Sequence, residues 1–120
     1  MLRALEDLHA PGYDLVVISP HLDDAVLSCA GEIAQRTATG GMVLVVTVFS
    51  GSQARAMEVK GPFAAFSDMA ARRAEDARAM DQLGCDHLWL GYEEAPSRDR
   101  RYASPLRLIS APLAADAPLM

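Results

Sequence analysis

His21, Asp23 and Asp24 stand within four residues of one another in the run VVISPHLDDAVLSCAG, residues 16–31. Imidazole nitrogen and carboxylate oxygen are both ligands that a catalytic zinc accepts, usually three from the protein with a fourth position left for water. A carboxylate beside such a centre can take a proton from that water. A cation also offsets the repulsion between adjacent carboxylates in a cramped turn. The same residues have a plain structural use. Asp at the start of a helix is a common N-cap, a second Asp there favours the helix dipole, and a His after Pro can be an ordinary turn residue.

The elements around the trio decide where such chemistry would sit. Leu15-Val16-Val17-Ile18 reads as a buried strand that Ser19-Pro20 ends. From Ala25 the apolar positions Val26, Ala30, Ile33 and Thr37 recur three or four apart, which predicts a helix. The trio therefore falls between a strand's carboxyl end and a helix's amino end, the crevice in which open α/β sheets bind ligands.

The rest of the chain repeats this alternation. Leu2, Leu5 and Leu8 suggest a short helix stopped by Pro11-Gly12. The first strand, Tyr13 to Ile18, is apolar throughout, which predicts burial on both faces in a parallel sheet. The helix from Ala25 to Thr37 ends at Gly40-Gly41. Met42 to Phe49 is a second strand rich in β-branched residues, completing a right-handed βαβ unit. Residues 50–66 lack a period and contain a turn at Gly61-Pro62. A helix from Ser67 to Leu83 follows, with Ser67 as N-cap. Phe66, Ala70, Ala77 and Met80 lie on one side of it, and Met69 and Leu83 at the edge. Gly84 stops it, and Asp86 to Leu90 forms a third strand. Beyond Gly91 come a charged loop and a poorly patterned tail over residues 104–120. The expected fold is one α/β domain over residues 1–120, a Rossmann-like three-layer unit with a short, mostly parallel sheet and helices on both faces.

SPHLDDAVLSCAG resembles the signature of the PIG-L (LmbE-like) family of zinc-dependent N-deacetylases, whose core pattern is Pro/Ala-His-x-Asp-Asp. Pro20, His21, Asp23 and Asp24 match every fixed position. Arg72-Arg73-Ala74-Glu75, followed by Ala79 and Leu83-Gly84, is similar to the family's Arg-x-x-Glu helix ending in Leu-Gly. The two motifs span roughly residues 14 to 91 in compatible order, and the strand-turn-helix setting makes the pair specific. The resemblance implies that His21 and Asp24 bind zinc (or another divalent metal), that Asp23 is the general base, and that Arg72 binds substrate. Zinc would lower the pKa of its water to about 7 and stabilise the oxyanion formed on the amide carbonyl. On a helical wheel Arg73 falls nearer the apolar side, but only Arg72 keeps the spacing to Glu75. A local pairing of Arg72 with Glu75 or Asp76 is the plain alternative.

Composition narrows the partners. Eleven basic and sixteen acidic residues give a net charge of −5, which disfavours nucleic acid. No apolar run approaches the roughly 20 residues needed to span a bilayer. The first ten residues carry Glu6 and Asp7 and do not read as a secretion signal. Cys29 and Cys85 are far apart in apolar segments, as reduced thiols would be. A cytoplasmic protein without nucleic-acid or membrane partners is expected. Glu93 and Glu94, after the third strand on the same edge as the first turn, could line the pocket but read first as solvated loop residues. Trp89 and Tyr92 could stack on a sugar ring, though Trp89 within a strand reads first as core.

The family's third zinc ligand is a C-terminal His, and this chain has only His9 and His87 besides His21. Neither is placed to replace it. The sequence thus reads as the N-terminal portion of the family domain, with two explanations open: a truncated or naturally shortened form, or a chain whose missing ligand comes from another chain. An exposed sheet edge would favour a homo-oligomer or a second chain completing the sheet. By resemblance the substrate is an N-acetylglucosamine-type sugar or a related small N-acyl amide. The competing readings are a non-catalytic shortened deacetylase-like subunit that binds a partner and a receiver-like signalling domain. The latter lacks its Asp at the end of the third strand and its downstream Lys.

Overall fold

The computed structural model describes residues 12–51, 68–95, 99 and 106. The expected N-terminal helix, the 52–67 part of the loop with its Gly61-Pro62 turn, Ser67 and most of the tail lie outside the described residues. Three strands and two helices alternate: β1 (Leu15–His21), α1 (Asp24–Ala38), β2 (Val43–Phe49), α2 (Met69–Leu83) and β3 (Asp86–Trp89). The strands are parallel in the order β1-β2-β3, with Leu15 opposite Val43, His21 opposite Phe49 and Val46 opposite Leu88. The parallel α/β expectation holds.

β2 is central and nearly all buried because it is flanked on both sides. Among the described residues β1 lies at the edge of the sheet, and it continues through Pro20 to His21 rather than ending at Ser19-Pro20 as expected. The missing N–H of proline is tolerated at an edge. Its other consequence is exposure: Val16 and Ile18 are 49% and 63% accessible, so β1 is not buried on both faces.

Both chain crossovers step in the same direction across the sheet. Right-handed crossovers stepping the same way place their helices on one face. α1 and α2 accordingly share the face built from Leu15, Val17, Val43 and Val45, and Ala25, Ile33, Met80 and Cys85 fill the space between. Leu44, Val46 and Leu88 are buried on the opposite face, where Tyr13 packs. The second helical layer is not represented by α1 or α2.

α2 begins at Met69, and its cap is Asp68 rather than Ser67: the Asp68 side chain accepts the Ala71 N–H at 3.0 Å. It closes at Gly84, whose φ of 70° is the left-handed conformation that glycine adopts without a side-chain clash. The inward positions of α2 also differ from the apolar reading. Asp76 and Met80 are its buried residues and Ala70 is exposed. No described helix is long and apolar enough to cross a membrane.

Candidate active site

Ser19, at the buried end of β1, ties the strand to the helix that follows. Its hydroxyl donates to the His21 carbonyl at 2.8 Å and accepts the Ala25 N–H at 3.2 Å. His21 is the last residue of β1, and its ring stacks on Phe49 of the neighbouring strand with centroids 5.5 Å apart. Its backbone N–H donates to Asp24 Oδ2 at 3.0 Å, and its Nδ1 lies 3.3 Å from the same oxygen. Both side chains are about half exposed. The strand end, the stacked ring and the first helical turn thus bring the imidazole and one carboxylate together at the surface.

Asp23 occupies the N-cap position of α1 but does not cap it. Its side chain makes no cap hydrogen bond, and its φ of 70° is the single positive value at a non-glycine among the described residues. That backbone is costly for a residue with a Cβ and recurs where function holds it in place. The Asp23 N–H donates to Asp76 Oδ1 at 3.2 Å. Burial raises the Asp23 pKa above its ordinary value. The negative charges of Asp76 and Glu75 add to the shift, and Arg72 opposes it. A carboxylate raised in this way is better matched to proton exchange near neutrality.

The N-terminal half of α2 faces the turn with three charged side chains. Arg72 Nη1 donates to both carboxylate oxygens of Glu94, at 3.0 and 3.1 Å, and the two side chains are each only 14% exposed. The partner expected from helical spacing, Glu75 or Asp76, is therefore not the one these bonds select. The expectation that Glu94 is solvated also fails, because its side chain is largely buried against Arg72 of α2. Arg73 Nη1 donates to the carbonyls of Ser50 and Gly51 at 3.0 and 3.1 Å, securing the exit of β2. Asp76 is 1% exposed and accepts the Trp89 ring N–H at 2.8 Å.

The segments leaving β2 and β3 are pinned to each other. Gly51 N–H donates to the Tyr92 carbonyl at 3.0 Å, and Gly91 N–H to Ser50 Oγ at 2.9 Å. Ser19, Ser50, Asp76 and Glu94 were not identified from the sequence as site residues. Asp76 carried a readable signal, because it interrupts the stripe that Met80 and Leu83 continue at helical spacing with a charge. Glu94 carried only its place after the third strand on the edge of the first turn, since its partner is 22 positions away.

The donor set can be tested against a metal. Zinc bonds to nitrogen and oxygen of about 2.0–2.2 Å give a tetrahedron whose edge is roughly 3.3–3.5 Å. The 3.3 Å between His21 Nδ1 and Asp24 Oδ2 fits that edge. No group of three or more potential ligands occurs among the described residues, so the turn offers two donors. His87 is not a third: it is 4% exposed, within β3 and tilted against Trp89. Cys29 and Cys85 are free thiols, and burial raises the pKa of Cys85 to about 11.

The family model described as "PIG-L: GlcNAc-PI de-N-acetylase" matches residues 16–115. Among solved structures, the chain is similar to the A40926 pseudoaglycone deacetylase Dbv21, with 38% identity over 71% of this chain, 38% of that chain and a TM-score of 0.58. It is also similar to the zinc-inhibited form of teicoplanin deacetylase Orf2, with 35% identity over 71% of this chain, 35% of that chain and a TM-score of 0.59. A deacetylase from the teicoplanin biosynthesis pathway gives 31% identity over 86% of this chain, 43% of that chain and a TM-score of 0.64. The chain spans well under half the length of these structures. A comparison with curated protein sequences finds no significant match.

Proposed function

Because the chain belongs to the PIG-L family, we propose that the turn after β1 is the catalytic turn of a metal-dependent N-deacetylase acting on an N-acyl amino sugar or a related small amide. The observation that carries this reading is Asp23, a strained, non-capping carboxylate held beside a histidine and carboxylate at metal-ligand spacing. The deacetylases among its structural relatives and the family's description support the reaction class and an acetamido sugar.

In this reading His21 and Asp24 would hold the metal, with a further ligand from residues outside the described ones or from a second chain. A zinc ion there would activate water and polarise the acyl carbonyl. The protein's own groups do the rest. Asp23 takes a proton from the attacking water and returns it to the amide nitrogen as the carbon–nitrogen bond breaks, releasing a carboxylate and an amine. Arg72, oriented by Glu94, offers guanidinium N–H donors to substrate oxygens. The first turn of α1, Ser50 and Gly51 after β2, and residues 90–95 after β3 would flank the reacting amide.

The alternative reading is a non-catalytic, shortened deacetylase-like subunit. One experiment separates them. Zinc content, solution mass and hydrolysis of an N-acetylglucosamine substrate are measured on the full chain, on His21→Ala and on Asp23→Asn. The deacetylase reading expects about one zinc per chain, lost in His21→Ala. It expects Asp23→Asn to retain the zinc while kcat falls by about 10²–10⁴-fold. A chain that holds no zinc and hydrolyses nothing is the non-catalytic subunit. Zinc retained only in a dimer locates the missing ligand on a second copy.

A further inference from the structure

Asp76 is a charged residue in the most deeply buried part of α2, and the apolar packing around it does not need one. The next positions on its side of the helix, Met80 and Leu83, are apolar. Its two oxygens are spent on two specific donors: Oδ1 accepts the Asp23 backbone N–H at 3.2 Å and Oδ2 accepts the Trp89 ring N–H at 2.8 Å. A carboxylate this buried persists only where such donors replace water. The first bond spans 53 positions and ends on the one non-glycine residue with a positive φ among those described. A left-handed aspartate survives where its surroundings over-determine it. Here Asp76 fixes the peptide on one side of Asp23, while Ser19 Oγ fixes the Ala25 N–H on the other. Trp89 in turn fixes Asp76 from β3.

We propose that Asp76 is a positioning residue: through its bond to the Asp23 N–H it holds the catalytic turn in the left-handed conformation that aims the Asp23 carboxylate at the scissile amide. The proposal rests on the reading of Asp23 as general base. It predicts a specific pattern of loss. The affinity for substrate stays, since Arg72 and Glu94 are untouched, and the chemical step slows because the base is misplaced. A displacement of about 1 Å at a reacting group is worth about 10²-fold in rate.

The test compares Asp76→Ala, Asp76→Asn and Trp89→Phe in the full chain with two readouts. Backbone hydrogen exchange followed by NMR is expected to show the Asp23 amide exchanging about tenfold or more faster in Asp76→Ala, with the Ile33 amide in mid-α1 unchanged. In steady-state assays kcat falls about 10²-fold with KM within about twofold, and the isosteric Asn, which keeps one acceptor, recovers about tenfold of that loss. An unchanged Asp23 amide, or a kcat within twofold of the wild type, overturns the proposal. Equal loss of protection at Ile33 overturns it too, since Asp76 is then an ordinary core residue. If the Asp76 variants do not fold, Trp89→Phe decides. It removes one of the two bonds that hold Asp76, and an Asp23 amide that then exchanges at the wild-type rate overturns the proposal. A wild-type chain without hydrolase activity removes the proposed function alone, and the exchange measurement still decides whether Asp76 holds the turn.

Discussion

The two ends of the sheet are closed by different physics. At the end where the helices finish, the chain turns back by helix-termination rules that act over a few residues. Gly41 N–H donates to the Arg36 carbonyl and Cys85 N–H to the Met80 carbonyl, with Gly40 and Gly84 in left-handed conformations. Long-range contacts also occur there: Thr37 Oγ1 donates to the Leu83 carbonyl at 2.7 Å, Tyr13 Oη to Asp86 Oδ2 at 2.8 Å and the Met42 N–H to Asp14 Oδ2 at 2.7 Å. At the opposite end, polar groups far apart in sequence meet: Asp23 with Asp76, Gly51 with Tyr92, Arg73 with Ser50, Arg72 with Glu94. The first end joins locally satisfied helix ends by side-chain contacts that are exposed or only part-buried. The second buries charge and holds an aspartate in a conformation it resists. Strain and buried polar networks of this kind cost stability and collect at functional sites.

One glycine from each end makes the contrast measurable, with the larger expected effect at the site. Gly51 has a φ of 75°, and a Cβ added there would come within 2.8 Å of Met69 Cε and 3.3 Å of Arg73 Nη1. Gly51→Ala therefore meets the left-handed penalty of about 1–2 kcal/mol and about 1–3 kcal/mol of overpacking. Met69 can swing aside, but moving Arg73 releases the Ser50 and Gly51 carbonyls. Gly84 has the same backbone conformation with only ordinary contacts to Thr37 at 3.8 Å and beyond. Gly84→Ala should cost the backbone penalty alone, about 1–2 kcal/mol. Urea unfolding of both variants checks the order. Equal losses would mean that the loop after β2 is no tighter than a helix C-cap.

An ion pair from each end gives the next test. Arg72 and Glu94 are enclosed, whereas Arg36 and Glu32 on α1 pair at 3.0 Å with side chains about half exposed. Glu94→Gln keeps the shape but leaves Arg72 without a charged partner at that position. If Arg72 binds substrate, its misorientation should raise KM by about tenfold and leave kcat within about threefold, the mark of uniform binding lost. Glu32→Gln should alter neither kinetics nor stability beyond about 0.5 kcal/mol. A Glu94→Gln enzyme with wild-type KM would remove Arg72 from the substrate-binding role.

This division also explains what could be read from the sequence. Strands and helices at both ends followed from apolar runs, period and glycine stops, because those are local. The trio His21, Asp23 and Asp24 was visible for the same reason: four consecutive residues carry it. What could not be read was which carboxylate caps, which Arg faces inward and what it meets. Arg72 and Arg73 both turned out to be half-buried, on different partners, because the loops beyond β2 and β3 supply acceptors that helical spacing does not reveal. Asp23 looked like a cap in sequence, and only its backbone conformation and its long-range bond to Asp76 distinguish it from one.

The smallest effect separates the site from the middle of the sheet. His87 pairs in register with Val45, is 4% exposed, and its Nε2 has no hydrogen-bond partner among the described residues. Burial lowers its pKa below the ordinary 6.5. Above pH 6.5 it is neutral in both folded and unfolded chains and contributes no pH dependence. Below that, the unfolded chain takes up a proton that the folded one refuses, so stability falls with pH until the folded-state pKa is reached. Asp23 has the opposite sign. Its pKa is raised on folding, so its contribution is present below the ordinary carboxylate value of 3.8 and is lost as pH rises through the folded-state value. The difference in unfolding free energy between wild type and His87→Phe should thus be flat above pH 6.5. Below it, the difference should acquire a slope approaching about 1.4 kcal/mol per pH unit, with the variant gaining relative to wild type as pH falls. A flat difference down to pH 5 would mean that His87 finds a proton acceptor in the folded protein. The middle of the sheet would then share the polar character of the end that carries His21, Asp23 and Asp24.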